Sequence, residues 1–89
     1  MLLGYVSDER YVALHDVAVL FEGEGEPQQV RSRADGSIVA DLEPGDYRVT
    51  LRKDGYTAKR SSLTWPVGEP VQFRLLSNKL VGYMWPKWV

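Results

Sequence analysis

The stretch RADGSIVADLEPGDYRVTLRKDGY, from Arg33 to Tyr56, decides the fold. Three turn signals recur in it at even intervals: Asp35-Gly36, Pro44-Gly45 and Asp54-Gly55. Glycine supplies the positive φ that tight turns demand, aspartate bonds to its own backbone, and proline presets φ at a turn's first corner. Between the corners, apolar residues alternate with others. Ile38, Ala40 and Leu42 fall on one side of an extended chain, with Val39 and Asp41 on the other. Tyr47, Val49 and Leu51 likewise oppose Arg48, Thr50 and Arg52. Alternation of this kind marks half-buried antiparallel strands with one wet face. The even corners then join strands three to six as a meander across a common core.

The same period extends outward in both directions. In DVAVLF, Val17, Val19 and Phe21 share a face opposite Ala18 and Leu20. In PVQFRLL, Val71, Phe73 and Leu75 point inward, and Gln72 and Arg74 outward. Breaks at 24–27 and 68–70 complete the punctuation. Seven strands are expected, roughly over 2–7, 16–22, 28–33, 37–42, 46–53, 57–65 and 70–76. Such short strands with regular turns indicate an all-β sandwich or small barrel. DERYVALHD, residues 8–16, is the nearest approach to a helix and reads as a connection.

Eighty-nine residues support one domain with one modest core. Hydrophobic residues at 44%, charged residues at 26% and a net charge of −1 describe an ordinary globular chain rather than a disordered one. The basic residues Arg31, Arg33, Arg48, Arg52, Lys53, Lys59, Arg60 and Arg74 look scattered, as on solvated strands. Without a basic run interleaved with aromatics, nucleic acid is not an expected partner. The absence of cysteine excludes disulfides, thiolate metal sites and cysteine nucleophiles. MLLGYVSDER lacks the basic and long apolar regions of a secretory signal, and no segment reads as a membrane span. A complete chain of this kind is expected in the cytoplasm.

The block DGSIVADLEPGDYRVTLRKDGY resembles the pattern of the carboxypeptidase-regulatory-like family. That pattern has a DG turn before an alternating strand, a PG-x-Y corner and a GY ending. Gly4, Val6 and Val17-Ala18-Val19 match its opening strands, so the resemblance runs from residue 4 to about 76. It implies a seven-stranded antiparallel Greek-key β-sandwich of the transthyretin (prealbumin-like) kind. In that reading Asp35, Gly36, Pro44, Gly45, Tyr47, Asp54, Gly55 and Tyr56 are structural turn residues, and none is catalytic. Family members are accessory modules attached to enzymes, transporters or surface proteins.

The sandwich is assigned to residues 1–77 and an aromatic tail to 78–89. The tail departs from the family pattern and reads as a linker or the start of a following domain. LVGYMWPKWV faintly resembles the segment that leads into the β-rich region of N,N-dimethylformamidase-like proteins. Tyr83, Met84, Trp85 and Trp88, with Leu80 and Val81, form its sticky part, a candidate surface for an adjacent domain or subunit.

Other constellations are sparse. His15 is the only histidine, so a His-based triad or two-histidine metal site cannot form in one chain. The transthyretin-like hydroxyisourate hydrolase depends on several histidines and a YRGS-like tail, neither of which occurs here. Glu22, Glu24 and Glu26 in EGEGEPQQ offer three carboxylates, fewer than the six to eight oxygens calcium takes, and a solvated hairpin is expected. Asp8-Glu9, Asp41-Glu43 and His15-Asp16 are candidate acid–base pairs with no sign of a shared pocket. A Lys–Asn isopeptide crosslink of the adhesin kind needs an early lysine, yet the first is Lys53; Asn78 alone is suitably placed. Tyr5, Tyr11, Tyr56, Trp65, Tyr83, Trp85 and Trp88 raise glycan stacking as an alternative. The expectation is a non-catalytic, cofactor-free interaction module, the N-terminal domain of a larger protein, with carbohydrate binding and a small transthyretin-like enzyme as alternatives.

Overall fold

A computed structural model describes residues 1–68 and 70–78. Tyr83, Met84, Trp85 and Trp88, with Leu80 and Val81, lie outside the described residues. Seven strands form: β1 (Leu2–Ser7), β2 (Ala18–Glu22), β3 (Gln28–Arg31), β4 (Ser37–Ala40), β5 (Gly45–Arg52), β6 (Lys59–Trp65) and β7 (Val71–Arg74). They make two sheets, ordered β4-β1-β7 and β3-β2-β5-β6. The chain is an all-β sandwich. Segment 8–16 is a connection, pinned by a Ser7–Ala13 bridge and by positive φ at Tyr11 and Asp16.

The alternation read from sequence fills the space between the sheets. Val17, Val19 and Phe21 meet Val49 and Leu51 from one sheet. Leu2, Val6, Ile38, Ala40 and Phe73 come from the other, and Leu14, Leu42, Leu63 and Leu75 close the core. Each fully buried large side chain contributes about 1.5–3 kcal/mol, which makes this core the main source of stability. β1 is the middle of its sheet, so its inward Gly4 leaves room for Ile38 and Phe73 on either side.

Two expectations are corrected. First, the sheets are not wholly antiparallel, because β1 and β7 pair in parallel, Gly4 beside Val71 and Val6 beside Phe73. Second, Arg33–Tyr56 is not a meander. Only Asp54-Gly55 closes a hairpin, between β5 and β6. Asp35-Gly36 carries the chain from the four-stranded sheet to the three-stranded one, and Pro44-Gly45 carries it back. Even spacing fits both arrangements, because strands of either sheet cross a core of the same width.

The crossing at 32–37 is tightly specified. Ser32 is buried; its hydroxyl donates to the Leu14 carbonyl and accepts from the Val17 amide, both at 2.8 Å. The Asp35 carboxylate accepts from the Ser37 amide at 2.9 Å, and the Arg33 amide donates to Ser37 O. Gly36 has φ +79°, and its carbonyl accepts from the Val6 amide at 2.9 Å. A Cβ there would sit 2.7 Å from the Val6 carbonyl oxygen and 3.0 Å from Ala13 Cβ.

Gly55 has a similar φ of +85° but open space around it. Gly55→Ala should therefore cost only the left-handed strain, about 1–2 kcal/mol. Gly36→Ala adds a backbone overlap that side-chain motion cannot relieve, and should cost about 3–5 kcal/mol. Urea unfolding of both variants checks this, and equal losses would contradict it.

Candidate functional site

Basic residues that look scattered along the chain converge on one sheet face. In β2 the buried Val19 and Phe21 leave Ala18, Leu20 and Glu22 on the outer side. Ala18 stands between Arg31 of β3 and Arg52 of β5, and Leu20 between Gln29 and Thr50. Arg48 lies opposite Glu22, and on β6 Arg60 lies opposite Thr50. Arg48, Arg52 and Arg60 therefore surround Thr50. Thr50 was expected to face water, yet it is only 9% exposed, since it sits mid-sheet among long arginine stems.

Arg31 Nη1 donates to Asp16 Oδ1 at 3.1 Å; both side chains are more than half exposed, so the pair adds little stability. Among the described residues no carboxylate lies within ion-pair distance of Arg48, Arg52 or Arg60. Arg60 is the diagonal neighbour of Arg48 and Arg52, about 7–8 Å away between strand positions, and all three are exposed. Shallow depressions of about 540, 380 and 660 Å³ run along this face. The first two share Ala18 and Arg52, and the last two share Glu22 and Arg48, so the three lie end to end along the face as a shallow trough. Asp16, Lys53, Asp54 and Tyr56 flank one end; Asp46 and Glu24 flank the other.

The outer face of the three-stranded sheet is apolar along β1 and polar along β7, where Gln72 and Arg74 are exposed. Leu3 lies beside Val39, and Tyr5 beside Gln72. Leu3 and Tyr5 are each 40% exposed, and the nearby Met1 and Val67 are exposed too. A small depression of about 180 Å³ lies between Leu3, Trp65, Val67 and Pro70.

The residues singled out from sequence are placed as follows. Tyr47, Tyr56 and Trp65 pack against the core. The Tyr47 hydroxyl donates to Glu43 O at 2.6 Å, and Gly23 lies close against its ring. Tyr11 is exposed, with the Arg74 guanidinium 4.7 Å from its ring centre. Glu22, Glu24 and Glu26 are exposed, and no group of three or more metal-ligating side chains occurs among the described residues. His15 is exposed, and its carbonyl accepts from Lys53 Nζ at 2.9 Å. Asn78 is tied to the β5–β6 turn, its amide donating to Gly55 O and its Oδ1 accepting from the Thr57 hydroxyl.

The Asp8 and Glu9 carboxylates hold loops rather than face each other across a pocket. Asp8 Oδ1 accepts from the Arg10 and Val12 amides. Glu9 Oε1 accepts from the Ser77 hydroxyl at 2.6 Å, joining the segment after β1 to the segment after β7. That bond lowers the Glu9 pKa from its ordinary value, and the Ser37 hydroxyl and amide lower that of Asp35.

The arginine face escaped the sequence reading because two of its members need the register. Arg48 and Arg52 are visible as outward residues of one strand. Arg31 and Arg60 join them only once β3-β2-β5-β6 is known.

No protein-family model matches the chain, and no curated protein matches it. Among solved structures, the Bacillus anthracis TIE protein is similar in fold, with a TM-score of 0.65 at 17% identity. The match covers 85% of this chain and 16% of that one, so the chain spans about a sixth of its length. No helix among the described residues is long and apolar enough to cross a membrane.

The lowered carboxylate pKa values fix the sign of the acid response. A carboxylate that binds its proton more weakly when folded stabilises the fold above its unfolded pKa, near 4.5 for Glu9 and 3.8 for Asp35. That stability is lost as pH falls through the lower, folded value. Glu9→Gln should therefore lose less stability than the native chain between neutral pH and about pH 3. Denaturant midpoints across this range test it; parallel pH profiles would show that the Glu9–Ser77 bond contributes nothing.

Proposed function

We propose that this sandwich is a non-catalytic interaction module, one domain of a longer polypeptide, that packs against a neighbouring domain through its three-stranded sheet. The observation that carries the reading is the apolar outer face of that sheet. A sheet face built for water alternates to polar residues, as Arg48, Thr50 and Arg52 do on β5. On β1 the outward positions are Leu3 and Tyr5, with Val39 beside them. Exposed apolar surface of this kind marks a contact surface. The neighbour is taken to belong to the same chain because a similar fold spans only 16% of the TIE protein's length.

In this reading the sandwich is of the carboxypeptidase-regulatory-like, transthyretin-like Greek-key type. Seven strands divided three and four support it, as do the turn residues Asp35-Gly36, Pro44-Gly45 and Asp54-Gly55 at strand junctions. Such a module works by contact, so its specificity resides in its outer faces rather than in an enclosed pocket.

An antibody raised against the domain should detect a native band far above the 10.1 kDa of this chain. A band near that mass would overturn the reading of a module within a longer chain. With that face uncovered, the 89-residue chain should self-associate in sedimentation, and replacing Leu3 and Tyr5 with Lys should reduce this while shifting stability by no more than about 1 kcal/mol. Unchanged self-association would remove the three-stranded sheet as the contact face.

A further inference from the structure

We propose that the trough on the four-stranded sheet binds an acidic segment of another polypeptide, laid along the strands in extended conformation. This inference concerns the sheet opposite the apolar face and stands whether or not that face contacts a neighbouring domain.

Charge and spacing carry the argument. Arg48, Arg52 and Arg60 crowd around Thr50 with no carboxylate in ion-pair range among the described residues. All three side chains are exposed and accessible to a ligand, and only Arg48 has a carboxylate, Glu22, at the directly opposite position. Arginine presents a planar fork that meets a carboxylate bidentately. Arg48 and Arg52 stand four residues apart on β5, about 13–14 Å at strand rise. An extended peptide has the same rise, so acidic residues at i and i+4 meet both arginines. The residue at i+2 then lies over Thr50, within reach of Arg60. The trough continues past both arginines, and Leu20 at its centre offers apolar contact between the charged positions.

The rim narrows the class of ligand. Asp46 and Glu24 close one end, and Glu22 stands beside Arg48. A polyanion with unbroken charge, such as a nucleic-acid backbone or a sulfated glycan, would run across these carboxylates. A peptide with carboxylates at alternate positions places charge where the arginines are and avoids the rim.

The test uses the 89-residue chain and a fluorescein-labelled peptide of alternating glutamate and serine, followed by anisotropy at low and physiological salt. Binding should weaken with salt, and the glutamine counterpart should not bind. Arg48→Glu with Arg52→Glu should weaken binding at least about tenfold, while Arg10→Glu, away from the trough, should leave it unchanged. Arg60→Gln separates function from folding. It should weaken binding and leave the urea midpoint nearly unchanged, because Arg60 is exposed on β6. Circular dichroism verifies that each variant is folded, and Arg48→Gln serves if the double variant is not. No binding at millimolar peptide, unaltered binding by Arg60→Gln, or tighter binding of heparin or an oligonucleotide than of the peptide would each overturn the proposal.

Discussion

The fold turns on the close passage of Gly36 beneath β1. Its carbonyl accepts from the Val6 amide, and its Cα lies so near the Val6 carbonyl that no side chain fits. This contact sets where β4 enters the three-stranded sheet, and hence the register of Gly4 against Ile38. On the other side of the crossing, the Ser32 hydroxyl satisfies a carbonyl and an amide from the 14–17 segment. Buried backbone groups left without partners cost more than the bonds themselves gain, so these contacts admit few alternatives. With the crossing fixed, Ile38 and Ala40 join Val19 and Phe21 in the single core that the two sheets enclose.

Much of this was legible in the sequence, for a simple reason. Side-chain period and turn chemistry are local, so six of the seven strands fall within the spans that alternation assigns, with shorter ends at β2, β3, β4, β6 and β7, while β5 starts one residue before its span, at Gly45. What local patterns do not encode is which sheet a strand joins. A DG corner serves equally for the β5–β6 hairpin and for the β3–β4 crossing. The difference lies in what surrounds the glycine: open space at Gly55, a backbone at Gly36. The parallel pairing of β1 with β7 was hidden in the same way, because it joins residues about seventy positions apart. The arginine face follows from pairing too, and an alternating strand shows only Arg48 and Arg52.

The two outer faces divide the surface by chemistry. Leu3, Tyr5 and Val39 give the three-stranded sheet an apolar patch beside the exposed Gln72 and Arg74 of β7, and burial of such area is what supplies affinity in a contact. Arg48, Arg52 and Arg60 give the four-stranded sheet a charged exterior suited to salt-sensitive recognition. Between them the core holds the faces in fixed orientation. Several polar groups away from these faces serve the frame: Asp8 caps a loop, Glu9 holds Ser77, and Tyr47 reaches Glu43.

The account depends most on the crossing at residues 32–37, and nuclear Overhauser contacts in the isotope-labelled chain test it directly. Cross-strand backbone contacts should link Gly4 with Ile38 and, in parallel, Val6 with Phe73. A hydrogen-bonded ladder between β3 and β4, closing a hairpin around Asp35-Gly36, would contradict it.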